Sequence, residues 1–136
     1  MSEQLTEIGI RVHMKQPYDA ALERVKAALK TEGFGVLTEI DVKAVMQQKL
    51  GVEFRRYCIL GACNPPLAYK ALSANLDVGL LLPCNVVVYE VEDEGCVVSL
   101  VDPTTMSTMF ADSAFTDVAR DARQRFERVA VMLSGQ

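Results

Sequence analysis

The chain has 136 residues, half of them apolar and 24% charged, with a net charge of −4. That length predicts one domain, residues 1–136, with a core that needs no disulfide or metal staple. The acidic balance argues against a general nucleic-acid binder, which displaces counterions with a basic surface, and against an anionic membrane face.

In chain order, Ile8, Ile10, Val12 and Met14 alternate with Gly9, Arg11 and His13, which predicts a half-buried strand over 5–14. Pro17 opens a helix whose apolar positions, Tyr18, Ala21, Leu22, Val25, Ala28 and Leu29, fall at helical spacing. Gly33 ends it in the left-handed conformation. Phe34–Ile40 reads as a second strand, and Asp41 as the cap of a short helix, Val42–Leu50, closed by Gly51. Arg56–Ala62 is apolar on both faces, the pattern of a strand inside a sheet.

Asn64-Pro65-Pro66 is a helix start: asparagine caps, and the prolines occupy a first turn whose N–H groups have no partner anyway. That helix runs to about Ala74. Val78–Val91 is predicted as one long strand broken or bulged at Pro83, since proline cannot donate to a ladder. Glu92–Gly95 turns into a hairpin partner, Cys96–Val101, which Asp102-Pro103 stops, and 104–113 read as a loop. The last helix, Phe115–Leu133, carries a continuous stripe of Phe115, Val118, Ala119, Ala122, Phe126, Val129, Ala130 and Leu133. The order β-α-β-α-β-α-β-β-α favours an α+β two-layer sandwich, a five-stranded mixed or antiparallel sheet with helices mainly on one face.

ILGACNPPLAYKAL at 59–72 and GLLLPCNVVVYE at 79–90 each set a Cys-Asn pair among apolar residues. With GFGVLTEIDV at 33–42 and VDP at 101–103, these words resemble the domain of unknown function 302 family. The resemblance implies a small α+β domain, a homodimer and no settled biochemical activity.

The candidate site residues are Cys63, Asn64, Cys84 and Asn85. Cys63 precedes a helix N-terminus, whose partial positive charge stabilises a thiolate. The plainer reading is a small buried residue, because free cysteine is among the most buried types. Cys84 follows Pro83, where a break in the strand can aim a side chain into a cleft. Cys63 and Cys84 are expected to share one pocket. Asn64 is most simply a cap, while Asn85 either satisfies backbone groups at the bulge or lines a ligand site. Cys58 and Cys96 read as packing residues.

Other chemistries find little support. The lone His13 has no local partner for a Ser-His-Asp grouping, and no C-x-x-C pair suggests a zinc site. GFG at 33–35 is a helix stop rather than a phosphate loop. Asp102 reads as a turn residue, and Arg120, Arg123, Arg125 and Arg128, interleaved with acids, read as a solvated helix face. The N-terminal residues lack the pattern of a signal peptide and no apolar run spans a membrane, so the expected location is cytoplasmic, with thiols reduced. The favoured function is a non-catalytic dimeric module that binds a small molecule or a protein in a cleft near Cys63 and Cys84, with no cofactor and no metal. The alternative is thiol chemistry, sulfur transfer or redox, through Cys63 and/or Cys84. Soft-metal handling, as of Cu(I), is the weakest of the three.

Overall fold

The same apolar alternation, repeated on neighbouring strands, gives this chain a sheet with one face for helices to cover. The structure is a computed structural model and describes residues 3–92, 95–109 and 112–135, without the side chain of Met109. The strands are β1 (Glu3–Leu5), β2 (Gly9–Met14), β3 (Gly35–Asp41), β4 (Tyr57–Cys63), β5 (Cys84–Glu90) and β6 (Cys96–Val101). The helices are α1 (Tyr18–Thr31), α2 (Val42–Leu50), α3 (Pro65–Ala74) and α4 (Ser113–Ser134), with 3-10 helices at Leu76–Leu81 and Pro103–Met109.

The sheet order is β1-β2-β6-β5-β4-β3, antiparallel at every pairing. The α+β class therefore stands, and the sheet has six strands rather than five. The sixth arises because residues 5–14 do not run straight. Thr6 N–H donates to Gly9 O at 2.8 Å, and Gly9 N–H returns to Thr6 Oγ1 at 2.9 Å, folding the segment into a hairpin. Ile8, expected in the buried row, sits in that turn and is 71% exposed.

The register puts Ile10, Leu100, Val86 and Leu60 in one row, and Val12, Val98, Val88 and Cys58 in the next. All eight are buried. They pack against Val25 and Leu29 of α1 and Phe126 and Val129 of α4, with Phe34 stacked on Phe126 at 4.6 Å between ring centroids. Every residue of the stripe read from the sequence of α4 is buried. A second, smaller cluster joins Ala71 of α3, Val78, and Phe115, Val118 and Ala119 of α4. None of the four helices is long and apolar enough to cross a membrane, among the described residues.

The caps read from the sequence hold. Asp41 accepts from Ala44 N–H at 3.0 Å, and Asn64 accepts from Leu67 N–H at 3.3 Å. Gly33 and Gly51 end α1 and α2 with φ of 84° and 66°. Two other expectations need correction. Val78–Leu82 is not strand: Asn75 accepts from Asp77 N–H at 2.9 Å and starts the 3-10 helix, which buries Val78 in the second cluster. Pro83, joined to Leu82 by a cis peptide, precedes β5 rather than interrupting it. Residues 103–109 are a 3-10 helix rather than loop, started by Asp102, whose carboxylate accepts from Thr104 N–H at 2.9 Å and from its hydroxyl at 2.6 Å. Residues 93–94 of the predicted turn and 110–111 of the predicted loop lie outside the described residues.

The arginine face of α4 is also less solvent-bound than its sequence suggests. Arg123 pairs with Asp102 at 3.0 Å, Arg125 donates to Glu32 O at 3.0 Å, and Arg128 grips the Glu32 carboxylate at 2.9 and 3.1 Å.

Candidate functional site

Cys84 opens β5 and pairs with Ala62 on β4, so its side chain points to the helix-covered face. Cys63 ends β4, where the chain leaves the sheet for α3. Both line one cavity of about 40 Å³, together with Asn64, Leu67, Phe115 and Met106. A cavity needs roughly 10–15 Å³ on this measure to hold one water, so this one has room for very few. The expected ligand cleft is thus, at this point, a small apolar void. The second core cluster has filled it from the α3 and α4 sides.

Burial pushes the Cys84 thiol up to about 11, with the neighbouring Cys63 adding to the shift. A thiol held there is almost wholly protonated at neutral pH, the opposite of an activated nucleophile. Asn64 is 7% exposed and both ends of its carboxamide are engaged. Its Oδ1 caps α3, and its Nδ2 donates to Glu32 O at 3.2 Å, tying the start of α3 to the end of α1.

Asn85 is turned the other way. It pairs with Gly61 across β4, is exposed, and its side chain bonds to none of the described residues. It does not line the inner cavity. It lines a second, open hollow of about 280 Å³ with Leu80, Leu82, Pro83, Cys84 and Val101. Leu81, Leu82, Cys84 and Met106 belong to the walls of both spaces, so Cys84 stands between the void and the surface. Of the four residues singled out from the sequence, three meet at the void and two at the hollow, with Cys84 common to both. Sequence reasoning missed the leucines at 80–82, because it placed them in a strand.

A larger groove, of about 680 Å³, lies at the far end of the sheet around Tyr18, Arg55, Arg56 and Glu90. Both of its arginines are already engaged. Arg56 meets Asp19 at 2.6 Å and lies over the Tyr18 ring at 4.4 Å, and Arg55 donates to Glu90 O at 3.1 Å. Size alone does not make it the better candidate. Cys58 and Cys96 are buried in strands. Among the described residues no group of three His, Cys, Asp or Glu is placed to hold a metal ion.

Comparison with known proteins agrees with this architecture. A crystal structure of an uncharacterized conserved protein DUF302 from Bacillus stearothermophilus superposes with a TM-score of 0.84. It is 32% identical, over 94% of this chain and 99% of that one. No curated protein matches the sequence. Residues 10–133, nearly the whole sheet and all four helices, match the family described as Domain of unknown function DUF302, and the chain belongs to that family.

Proposed function

We propose that this domain is a non-catalytic ligand-binding module whose seat is the hollow beside Cys84. The observation that carries the reading is the pairing of an apolar surface hollow with an uncommitted polar group at its rim. Leu80, Leu82, Pro83 and Val101 supply the apolar wall, and the Asn85 carboxamide supplies two donors and an acceptor. At about 280 Å³ the hollow is near the lower end of the roughly 300–1,000 Å³ of small-molecule sites. It therefore suits a small ligand with an apolar body and one polar end.

The test uses indole as probe and follows backbone amide shifts by NMR. Shifts confined to the amides of residues 80–82, 84, 85, 101 and 106, and lost in Asn85→Ala, support the seat. Unchanged shifts there at millimolar indole overturn it.

Thiol chemistry at Cys63 and Cys84 is a second reading, favoured by one observation: the two cysteines line one void and are close enough to interact electrostatically. The raised Cys84 thiol weighs against it. Iodoacetamide at neutral pH separates the readings. Labelling of Cys84 in the folded protein as fast as in the unfolded chain would favour chemistry, and slow labelling of both favours packing.

A further inference from the structure

We infer that the ligand of the hollow is an anion, an apolar small molecule ending in a carboxylate, and that Arg11 holds the charged end. This rests on the hollow as the seat and adds the chemical class of what it takes. Arg11 belongs to the face of the sheet that α1 and α4 leave open, since Ile10 and Val12 on either side of it are buried under the helices. It is partly buried there, and its Nε is wholly buried with no hydrogen-bond partner among the described residues. A buried donor without an acceptor is costly, and more so when it carries charge. What satisfies a guanidinium best is a negatively charged acceptor, which its fork can grip with two parallel bonds. The sheet offers none. The acidic residues of the strands, Glu3, Glu39, Asp41 and Glu90, pair with Val12, Leu60, Cys58 and Cys96, all in rows of the covered face.

The register ties Arg11 to the hollow. Ser99 lies opposite Arg11, and Val87 opposite Ser99. Asn85, two residues before Val87 on β5, shares that side of the sheet. Neither the Ser99 hydroxyl nor the Asn85 carboxamide bonds to another described residue. Arg11, Ser99 and Asn85 thus stand around Val101, the residue of β6 that lines the hollow. Val101 is paired with Gly9, which carries no side chain, and Arg11 follows two residues further along β2. That places the two Cα atoms, Arg11 and Val101, roughly 8 Å apart, a span an arginine side chain can bridge to a seated ligand. Arg123, the other guanidinium that approaches this end of β6, is already paired with Asp102 at 3.0 Å. A body lying against Leu80, Leu82 and Pro83 therefore turns its far end toward three uncommitted donors, one of them permanently charged. An apolar seat with a few convergent polar groups is the form of a small-molecule site, and here every one of those groups can donate to a carboxylate.

The test compares indole with indolepropionate, which adds a carboxylate on a short arm to the same apolar body. Titrations followed by backbone amide shifts give both affinities and the residues each probe reaches. Indolepropionate should bind at least about tenfold more tightly, the worth of a charge-assisted hydrogen bond. It should also move the amides of Arg11 and Ser99, which indole leaves still. Arg11→Gln should abolish the advantage and leave indole binding unchanged. Arg11→Lys, which keeps the charge without the fork, should retain part of it. Arg11 makes no hydrogen bond within the described chain, so both variants should keep the circular dichroism spectrum of the parent. Ser99→Ala is a second, milder probe of the same arc and should lose a smaller share of the advantage. Equal affinity of the two probes in the hollow overturns the inference and leaves the hollow standing as the seat. So does an advantage that survives Arg11→Gln. Shifts from neither probe at millimolar concentration overturn the hollow itself, and the inference with it.

Discussion

Asn64 does two jobs, and only one of them is written locally. The cap on α3 follows from an asparagine three residues before a free N–H, with two prolines between. The bond from Nδ2 to Glu32 O spans 32 positions and depends on how α1 ends at Gly33. A cap alone is worth about 1 kcal/mol, and a further net hydrogen bond about 1 kcal/mol. Asn64→Ala should therefore destabilise by about 2 kcal/mol, and Asn64→Ser, which keeps the cap, by about half that. Asn64→Asp keeps the cap but points an acceptor at the Glu32 carbonyl, so it should do no better than serine. Urea unfolding of the three variants checks the order. An alanine variant no weaker than the serine one would remove the cap from the account. Cys63 and Cys84 were legible as neighbours, because both stand where strands begin or end. That their shared space is nearly filled was not, since the filling comes from α4, which starts at Ser113.

At the level of elements, α4 and the segment before β5 mark the two extremes of legibility. α4 shows its buried stripe at helical spacing over 22 residues, and no strand could hide that pattern. Residues 78–82 are a short apolar run, which fits a strand as well as it fits a tight helix. What decides is the Asn75 cap and the burial of Val78 between α3 and α4, and the second of these is tertiary. The consequence reaches β4. The helix ends by laying Pro83 over Gly61, where an added Cβ would stand 2.8 Å from Pro83 Cγ and against Thr38 Oγ1. Gly61→Ala should overpack this crossing and cost about 1–3 kcal/mol. It should also shift the amides of residues 80–82, 84 and 85, in the walls of the hollow. A stable variant with those shifts unchanged would show that Pro83 does not press on Gly61.

For the molecule as a whole, the strand order was beyond local reading, because β2 finds its partner β6 only across the whole of residues 15–95. That long-range closure is what buries the titratable groups together, and it predicts how stability depends on pH. Burial raises the Cys58 thiol from 9.0 to about 11, with Glu39 adding to the effect. It raises Cys84 from 9.0 to about 11, with Cys63 adding. The Tyr18 hydroxyl goes from 10.0 to about 12, again mainly by burial and then by Cys58. In each case the folded value lies above the unfolded one. The unfolded chain therefore loses its protons first as pH rises. Stability is complete below about pH 9 and falls between about 9 and 11 as thiols ionise only in the unfolded state. Two units on a buried thiol correspond to at most about 2.7 kcal/mol, reduced for solvent access at the partly open Cys84. Urea unfolding under reducing conditions should thus give a plateau at neutral pH and a steep alkaline decline. Cys58→Ala should flatten that decline more than Cys84→Ala, although both lower the plateau by leaving space in the core. An unfolding free energy equal at about pH 8 and about pH 10.5 would mean that these thiols reach solvent in the folded protein. The Cys84 wall would then be open, and the thiol reading of the site would regain its footing.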